Sequence, residues 1–546
     1  MSRFNTRGTR PVTSSPVTTT GETARTYEGA TGHLRDAKSE LFLLAISNTV
    51  GTDTFYEKAG DRDNRFATLV RQLAVEDPAW TAGLLAWLRS EGNMRTASLV
   101  GAAEFVHARL NADQEPTVVT GAVPFSNRSV IASVLQRADE PGELLGYWTQ
   151  NYGRAIPKPV KRGIEDALGR LYTEQNLLKY DSAGKGYRFG DVIELVHPKP
   201  KALWQGDLFK HAIDRRHNRD GEPPLSLNLL QSRAALAEWP LEKRRQLLAR
   251  PDAADTLKHA GMTWEALAGW LQGPLDKQAW EAVIPSMRLM ALARNLRNFD
   301  EAGVSDEVAA TVAARFADPE QVRASRMFPF RWWAAYKAAP SLRWAHALEQ
   351  ALGYSLGNVP GLKGRTLILV DRSPSMFPGY GYSTPNRSDI TLAEQAAVFG
   401  SALALRAETP TLVEFGQTSK AVPVPKGGST LRLVEQFGMI GGTDIPSAVK
   451  QHFDGHDRVV IVTDEQTRPG WLPSNCHGYG GMRETQIDDL IPKNVPVYMW
   501  NMAGYKPGAM PSGTSNRHAM GGLSDAAFRM IPLLDAGRSA RWPWEQ

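Results

Sequence analysis

A chain of 546 residues is too long for one core and corresponds to roughly three or four domain lengths. With 42 % hydrophobic and 22 % charged residues it has the composition of a well-packed protein, and its one cysteine, Cys476, excludes an intramolecular disulfide or a cysteine-built zinc cage. A net charge of +5 and a pI near 9.1 are too mild to argue for nucleic acid by themselves, so the placement of the cations has to decide.

The opening stretch MSRFNTRGTRPVTSSPVTTTGETART has arginines but no apolar run, so it is not expected to act as a secretory signal. Ser, Thr, Pro and Gly dominate it, and residues 1–30 are expected to form a disordered basic tail. No run approaches the roughly 18 apolar residues of a membrane span. With a single thiol, a reducing cytoplasm is the expected setting.

Residues 31–360 read as helical almost throughout. FATLVRQLAVEDPAWTAGLLAWLRSEGNMRTASLVGAAEFVHARL places apolar residues three and four apart, with polar breaks between runs. AVPFSNRSVIASVLQRADEPGELLGYWTQNYG repeats the idea, and so do the segments around FGDVIELVHPKP, ALWQGDLFKHAI, MTWEALAGWLQ and AWEAVIPSMRLMALARNL. Helix pairs recurring at roughly 40 residues point to a HEAT-type solenoid, a compact all-α domain being the other solution.

At residue 361 the texture changes. GRTLILVD is a branched apolar run of the kind buried on both faces of a sheet. TLAEQAAVFGSALALRA, TLVEFG, STLRLVEQFG, DRVVIVTD, VPVYMWNMAG and LSDAAFRMIPLL then alternate between helix and strand. Residues 361–546 are therefore predicted to form a doubly wound parallel sheet, with ligands outside the carboxyl ends of its strands. The fold class is multidomain, α plus α/β.

Those strand ends carry oxygen ligands. GRTLILVD runs into D-x-S-x-S, giving Asp371, Ser373 and Ser375; GGTD supplies Thr443, and DRVVIVTD ends at Asp464. Two carboxylates and three hydroxyls from three loops suit a hard cation such as Mg²⁺. A lone D-x-S-x-S is weak and often an N-cap; after a buried strand, with GGTD and VTD in order, it points to metal. The set resembles the metal-ion-dependent adhesion site of von Willebrand A-type (vWA) domains. That likeness makes Asp371, Ser373, Ser375 and Thr443 ligands and Asp464 an outer carboxylate reached through water, while Asp444 is expected to cap the next helix. FPGYGYSTPNRSDIT, residues 377–391, is an insertion expected to cover the ion's open position or to add a ligand.

Cations cluster on the helical part. NYGRAIPKPVKRGIEDALGRL holds Arg154, Lys158, Lys161 and Arg162, and ELVHPKPKALW holds His197, Lys199 and Lys201. MRLMALARNLRNF holds Arg288, Arg294 and Arg297. QVRASRMFPFRWWAAYKAAPSLRW holds Arg323, Arg326, Arg331, Lys337 and Arg343 without an acid. Such residues neutralise phosphates, and Trp332, Trp333 and Tyr336 offer faces for unpaired bases. Read singly, a basic run is more often a solvated helix face, paired tryptophans are more often core, and His197 is more often structural.

LFLLAISNTVGTDTFYEKAGDRDNRFATLV, RAIPKPVKRGIEDAL, FGDVIELVHPKP, MRLMALARNLRNF and RASRMFPFRW together resemble the TROVE module of the Ro autoantigen family, followed by a vWA domain in the same order. The resemblance spans roughly 36–546 and is to the bacterial type. It implies a ring of HEAT-like repeats closed by the vWA domain, with a positively charged central hole. Such a ring acts as a monomer, binding Y RNA outside and taking the single-stranded ends of misfolded noncoding RNA inside. By position, Lys158, Lys161, Arg162 and His197 would meet Y RNA, and Arg288, Arg294, Arg297, Arg323 and Arg326 would face the cavity. The likeness also implies an adaptor role toward a 3′-to-5′ exoribonuclease such as polynucleotide phosphorylase. No P-loop, G-x-S-x-G elbow or H-E-x-x-H occurs, and no general base stands beside D-x-S-x-S, so a non-catalytic protein is expected. The competing reading is a vWA protein-interaction module whose metal captures a partner's carboxylate, with the helices as a passive spacer.

Overall fold

The structure is a computed structural model that describes residues 12–114, 117–118, 125–219, 221–339, 341–357, 359–377, 390–473, 482–523 and 528–545. Between Ala37 and Ser355 the described residues form twenty α-helices. Their starts follow local chemistry. Asp77 accepts from Trp80 N at 3.1 Å, with Pro78 in the first turn of Pro78–Ser90, and Ser305 caps Asp306–Phe316. The helix Lys158–Leu171 buries Val160, Ile164, Ala167, Leu168 and Leu171, one apolar stripe at helical spacing, and packs on Asn127–Val134. No helix among the described residues is long and apolar enough to cross a membrane.

The C-terminal part is a six-stranded sheet in the order Arg517–Gly521, Val497–Asn501, Arg458–Thr463, Leu362–Asp371, Ala407–Phe415, Ser419–Val422. The first five strands run parallel and the last is an antiparallel edge. The strand Leu362–Asp371 lies between Ala407–Phe415 and Arg458–Thr463, so chain order reverses beside it, and a crevice opens there at the carboxyl ends. Its side chains alternate between two cores. Leu367 and Leu369 join the cluster under the helix Ile445–His452, whereas Ile368 and Val370 join one that continues without a break into the helical part. The strands Ser419–Val422 and Arg517–Gly521 are short and were not read from the sequence.

Both ends of the helical path rest on this α/β unit. At the start, Leu43 and Ile46 of Ala37–Ile46 lie against Gly521, and Gly504 (φ +65°) comes so near Leu44 that a Cβ there would stand 2.8 Å from its Cα. At the end, Trp333 Nε1 donates to Glu394 Oε1 (3.2 Å), Lys337 pairs with the same carboxylate, and Glu349 accepts from Thr430 N (2.8 Å). Arg326 Nη1, late in the path, also donates to Gln136 Oε1 (3.0 Å). The helical path therefore closes on itself through the sheet domain.

Residues 12–30 correct the expectation of a disordered tail. The strands Thr19–Arg25 and Thr31–Arg35 form a hairpin, and His33 exchanges two backbone hydrogen bonds with Gly508. Hydroxyls do the anchoring: Thr13 Oγ1 meets Asn516 Oδ1 at 3.0 Å, Ser15 Oγ meets His518 Nδ1 at 3.0 Å, and Thr26 Oγ1 donates to the Thr467 carbonyl at 2.8 Å. Composition suggested too little apolar surface to order this stretch, and polar bonds to a preformed surface supply the difference. The other terminus is seated too: Trp542 and Trp544 pack on Phe42 and Trp80, and Ala540 N donates to the Ser14 carbonyl (2.9 Å).

Two outcomes follow. A methyl at Gly83 would stand 2.4 Å from Trp544 Cδ1, so Gly83→Ala is expected to cost about 1–3 kcal/mol; an unchanged thermal midpoint would show that Trp544 is not held there. Burial, with Arg517 adding repulsion, holds the His518 imidazole down at about 4. The unfolded chain therefore protonates before the folded one, and stability is expected to fall as pH drops from about 6.5 toward 4. In His518→Gln that acid loss should shrink; superimposable pH profiles would clear His518 of it.

Candidate functional site

Asp371 ends the central strand and is fully buried. Its Oδ1 accepts from Ser373 N (2.8 Å) and its Oδ2 from Thr463 Oγ1 (2.5 Å), which holds the carboxylate toward the crevice. Ser373 and Ser375 follow on the tight turn after the strand, with hydroxyl oxygens 3.1 Å apart and both side chains buried. Thr443 is buried in the next loop, its carbonyl fixed by Arg468 N at 2.8 Å. Beside it Asp444 Oδ1 accepts from Ser447 N (2.9 Å), the capping role read from the sequence.

Asp464 completes the set. Its Oδ1 accepts from Gln466 N (3.0 Å), but Oδ2 is buried with no hydrogen-bond partner. Burial raises both carboxyls above their ordinary range, and the charge on Asp371 raises Asp464 further. The neighbouring Arg372 offsets Asp371 only in part, its guanidinium donating to the carbonyls of Gly438 and Ala393, both at 2.6 Å. Two dry carboxylates with an orphaned oxygen, flanked by the Ser373 and Ser375 hydroxyls, fit a hard divalent cation. No group of three or more His, Cys, Asp or Glu side chains among the described residues is arranged to hold a metal ion, so any such site is hydroxyl-rich and low in charge. Of the insertion 377–391 expected over the ion, residues 378–389 lie outside the described residues.

The rim holds side chains the sequence reading passed over. Glu465, at φ +68°, turns away from the crevice into a buried pair with Arg35 (2.6 Å) and accepts from Asn501 Nδ2 (2.7 Å) and Ala509 N (2.8 Å). Tyr27 stacks on Tyr56 at 4.8 Å, and Tyr505 meets both edge-on at 5.5 Å. A cleft of about 270 Å³ opens beside Ser375, lined also by Thr49, Phe55, Arg331 and Gln395. An aromatic residue ten positions before a helix core gave no signal that it would reach a loop more than 300 residues away.

The cationic candidates fall in two groups. Glu165 accepts from Arg162 Nη1 (2.5 Å) and from Lys199 N (3.2 Å), which lays the segment 197–201 along the helix Lys158–Leu171. The Lys201 side chain runs against Gly169 of that helix. Arg154, Lys158, Arg162, His197, Lys199 and Lys201 are exposed there and Lys161 half-buried, although Glu165 and Asp166 dilute the charge. Trp204, in the first turn of Leu203–Arg216, is the one exposed tryptophan among the described residues. The second group lies on Leu289–Glu301 and Pro319–Ser325, which pack together: Arg288, Arg294 and Arg323 are exposed, Arg297 pairs with Glu301 (2.7 Å), and Arg326 holds Gln136. Arg343 is spent on Asp300 (2.7 Å). Trp332 and Trp333 are core, not stacking platforms.

Residues 260–347 match the family model of the TROVE domain. The chain resembles the crystal structure of the Ro (RSR) protein of Deinococcus radiodurans, with a TM-score of 0.59 at 16 % identity, covering 92 % of this chain and 100 % of that one. The chain shares the fold of that Ro protein, and the likeness to the TROVE domain lies in residues 260–347. No curated protein matches it. The matched TROVE segment contains all of the second cationic group, Arg288 to Arg326, and none of the first. Helical repeats closed by a doubly wound sheet unit, the architecture expected from the sequence, is the architecture found.

Proposed function

We propose that this protein is a non-catalytic RNA-binding scaffold. It holds a structured small RNA of the Y type on the face formed by Lys158–Leu171 and residues 197–201, and takes single-stranded ends of misfolded noncoding RNA at Arg288, Arg294, Arg297, Arg323 and Arg326. The observation that carries the reading is the convergence of two sequence-distant basic segments on Glu165, with Arg154, Lys158, His197, Lys199 and Lys201 free of any acid at ion-pair distance among the described residues. Trp204 adds an aromatic face beside them, because Lys201 N is fixed to Gln205 Oε1 (2.9 Å) in the same helical turn. Through such an RNA the protein would serve in RNA quality control or tether a 3′-to-5′ exoribonuclease such as polynucleotide phosphorylase. The sheet domain would hold Mg²⁺ through Asp371, Ser373, Ser375 and Thr443, with Asp464 as the outer carboxylate.

Affinity for a structured RNA with a 3′ tail, measured by gel shift, should fall linearly on a log–log plot against salt, by about 0.7 for each single-stranded phosphate neutralised. Lys161→Glu with Arg162→Glu should weaken binding about tenfold or more. Salt-insensitive or absent RNA binding would instead favour a metal-dependent protein-interaction module. For the cation, Mg²⁺ at about 100 times its dissociation constant should add about 2.7 kcal/mol of stability, seen as a raised thermal midpoint. Asp371→Asn should abolish the rise; a midpoint indifferent to Mg²⁺ in the parent chain would remove the ion.

A further inference from the structure

The approach to the crevice is built from the N-terminal end of the same chain. The hairpin tip reaches over the loops that carry Thr443 and Asp464: Tyr27 N donates to Gln466 Oε1 (3.0 Å) and Thr26 Oγ1 to the Thr467 carbonyl (2.8 Å). Arg468, whose amide fixes Thr443, donates Nε to Glu28 Oε2 at 2.9 Å. The other Glu28 oxygen accepts from the Tyr56 hydroxyl at 2.7 Å. That phenol lies within electrostatic reach of Ser375 and Asp464.

Tyr56 is held there from several sides. Tyr27 and Tyr505 pack on its ring. Next to it Glu57 pairs with Arg62 (2.5 Å) and Arg65 (2.9 Å), and Arg65 Nη2 reaches the Gly504 carbonyl (3.1 Å). Arg62 is fully buried between Thr49 and the Ala503 carbonyl. A phenol that gives its proton to a carboxylate keeps its lone pairs for a donor, and water on a divalent cation is a strong one.

From this we infer that the open side of the cation site is closed from within the chain: Tyr56, oriented by Glu28, receives the ion's water, and a bound divalent cation latches the hairpin tip and residues 49–58 to the sheet domain. An adhesion site leaves that side to a partner's carboxylate, whereas here Tyr56, backed by Glu28, stands on that side. Tyr56 and Glu28 are positioning residues, acting on the ion through its hydration. The inference rests on reading Asp371, Ser373, Ser375, Thr443 and Asp464 as a cation site.

The test uses the full chain with Mn²⁺ as probe, free Mn²⁺ being counted by electron paramagnetic resonance with Mg²⁺ as competitor, alongside amide hydrogen exchange with and without Mg²⁺. Tyr56→Phe keeps the ring and its stacking, and Glu28→Gln keeps the size of the side chain. Each is expected to weaken Mn²⁺ binding roughly 10- to 100-fold. Mg²⁺ should slow exchange over residues 26–30 and 49–58 in the parent chain and not in Tyr56→Phe. Unaltered Mn²⁺ affinity in both variants, with exchange indifferent to Mg²⁺, overturns the latch and leaves the cation site standing. Failure of the parent chain to bind Mn²⁺ overturns the site and the latch together.

Discussion

A strand covered on both faces can send its side chains only alternately into one core and the other, and Leu362–Asp371 is under that constraint from Leu367 to Val370. Leu367 and Leu369 seal the sheet against its own helices, while Ile368 and Val370 belong to an apolar mass that runs on into the helical repeats. One strand thus holds both halves of the molecule in register. It also fixes where polar chemistry can begin, since Asp371 is the first residue past the sealed run. With Asp464 ending the neighbouring strand across the switch point, two carboxylates share a dry crevice. Unpaired charges buried in this way cost several kcal/mol each. That cost links the packing of the sheet to the demand for a cation.

The parts of this arrangement set by local pattern were legible in the sequence. An unbroken run of branched residues announced the central strand, and the spacing of Asp371, Ser373 and Ser375 followed directly from it. Thr391 and Glu394, which cap Leu392–Arg406 reciprocally, mark the helix start where the apolar pattern placed it. The edge strands escaped for a physical reason. In Arg517–Gly521 the run RHAMG looks polar, yet Arg517 and His518 are buried because their partners, Asp488 for the first and Thr13 and Ser15 for the second, come from distant segments. The N-terminal hairpin escaped likewise: it adheres through hydroxyls and backbone edges, to which hydrophobic periodicity is blind.

The cationic faces were legible by residue type and not by pairing. Acid-free in sequence, the stretch from Arg323 to Trp344 loses Lys337 to Glu394 and Arg343 to Asp300, acids that lie tens of residues away. In contrast Arg297 and Glu301, four apart on one helix, form a pair that spacing alone allows. What survives as open cation lies around 154–162 and 197–201 and at Arg288, Arg294 and Arg323. Long-range neutralisation, more than composition, decides which basic clusters can still meet a phosphate chain.

The seating of Trp542 and Trp544 against Phe42 and Trp80 has a consequence for how the molecule is made. Ser14 and Ser539, 525 positions apart, touch. The first helices of this path emerge from synthesis with an aromatic groove whose natural filling is translated only after every repeat and the sheet strands. Until then that groove is bare hydrophobic surface, a point of vulnerability to aggregation and a handle for chaperones. Closing so long a loop makes assembly intrinsically slow, and the finished circle records that its distant segments have met.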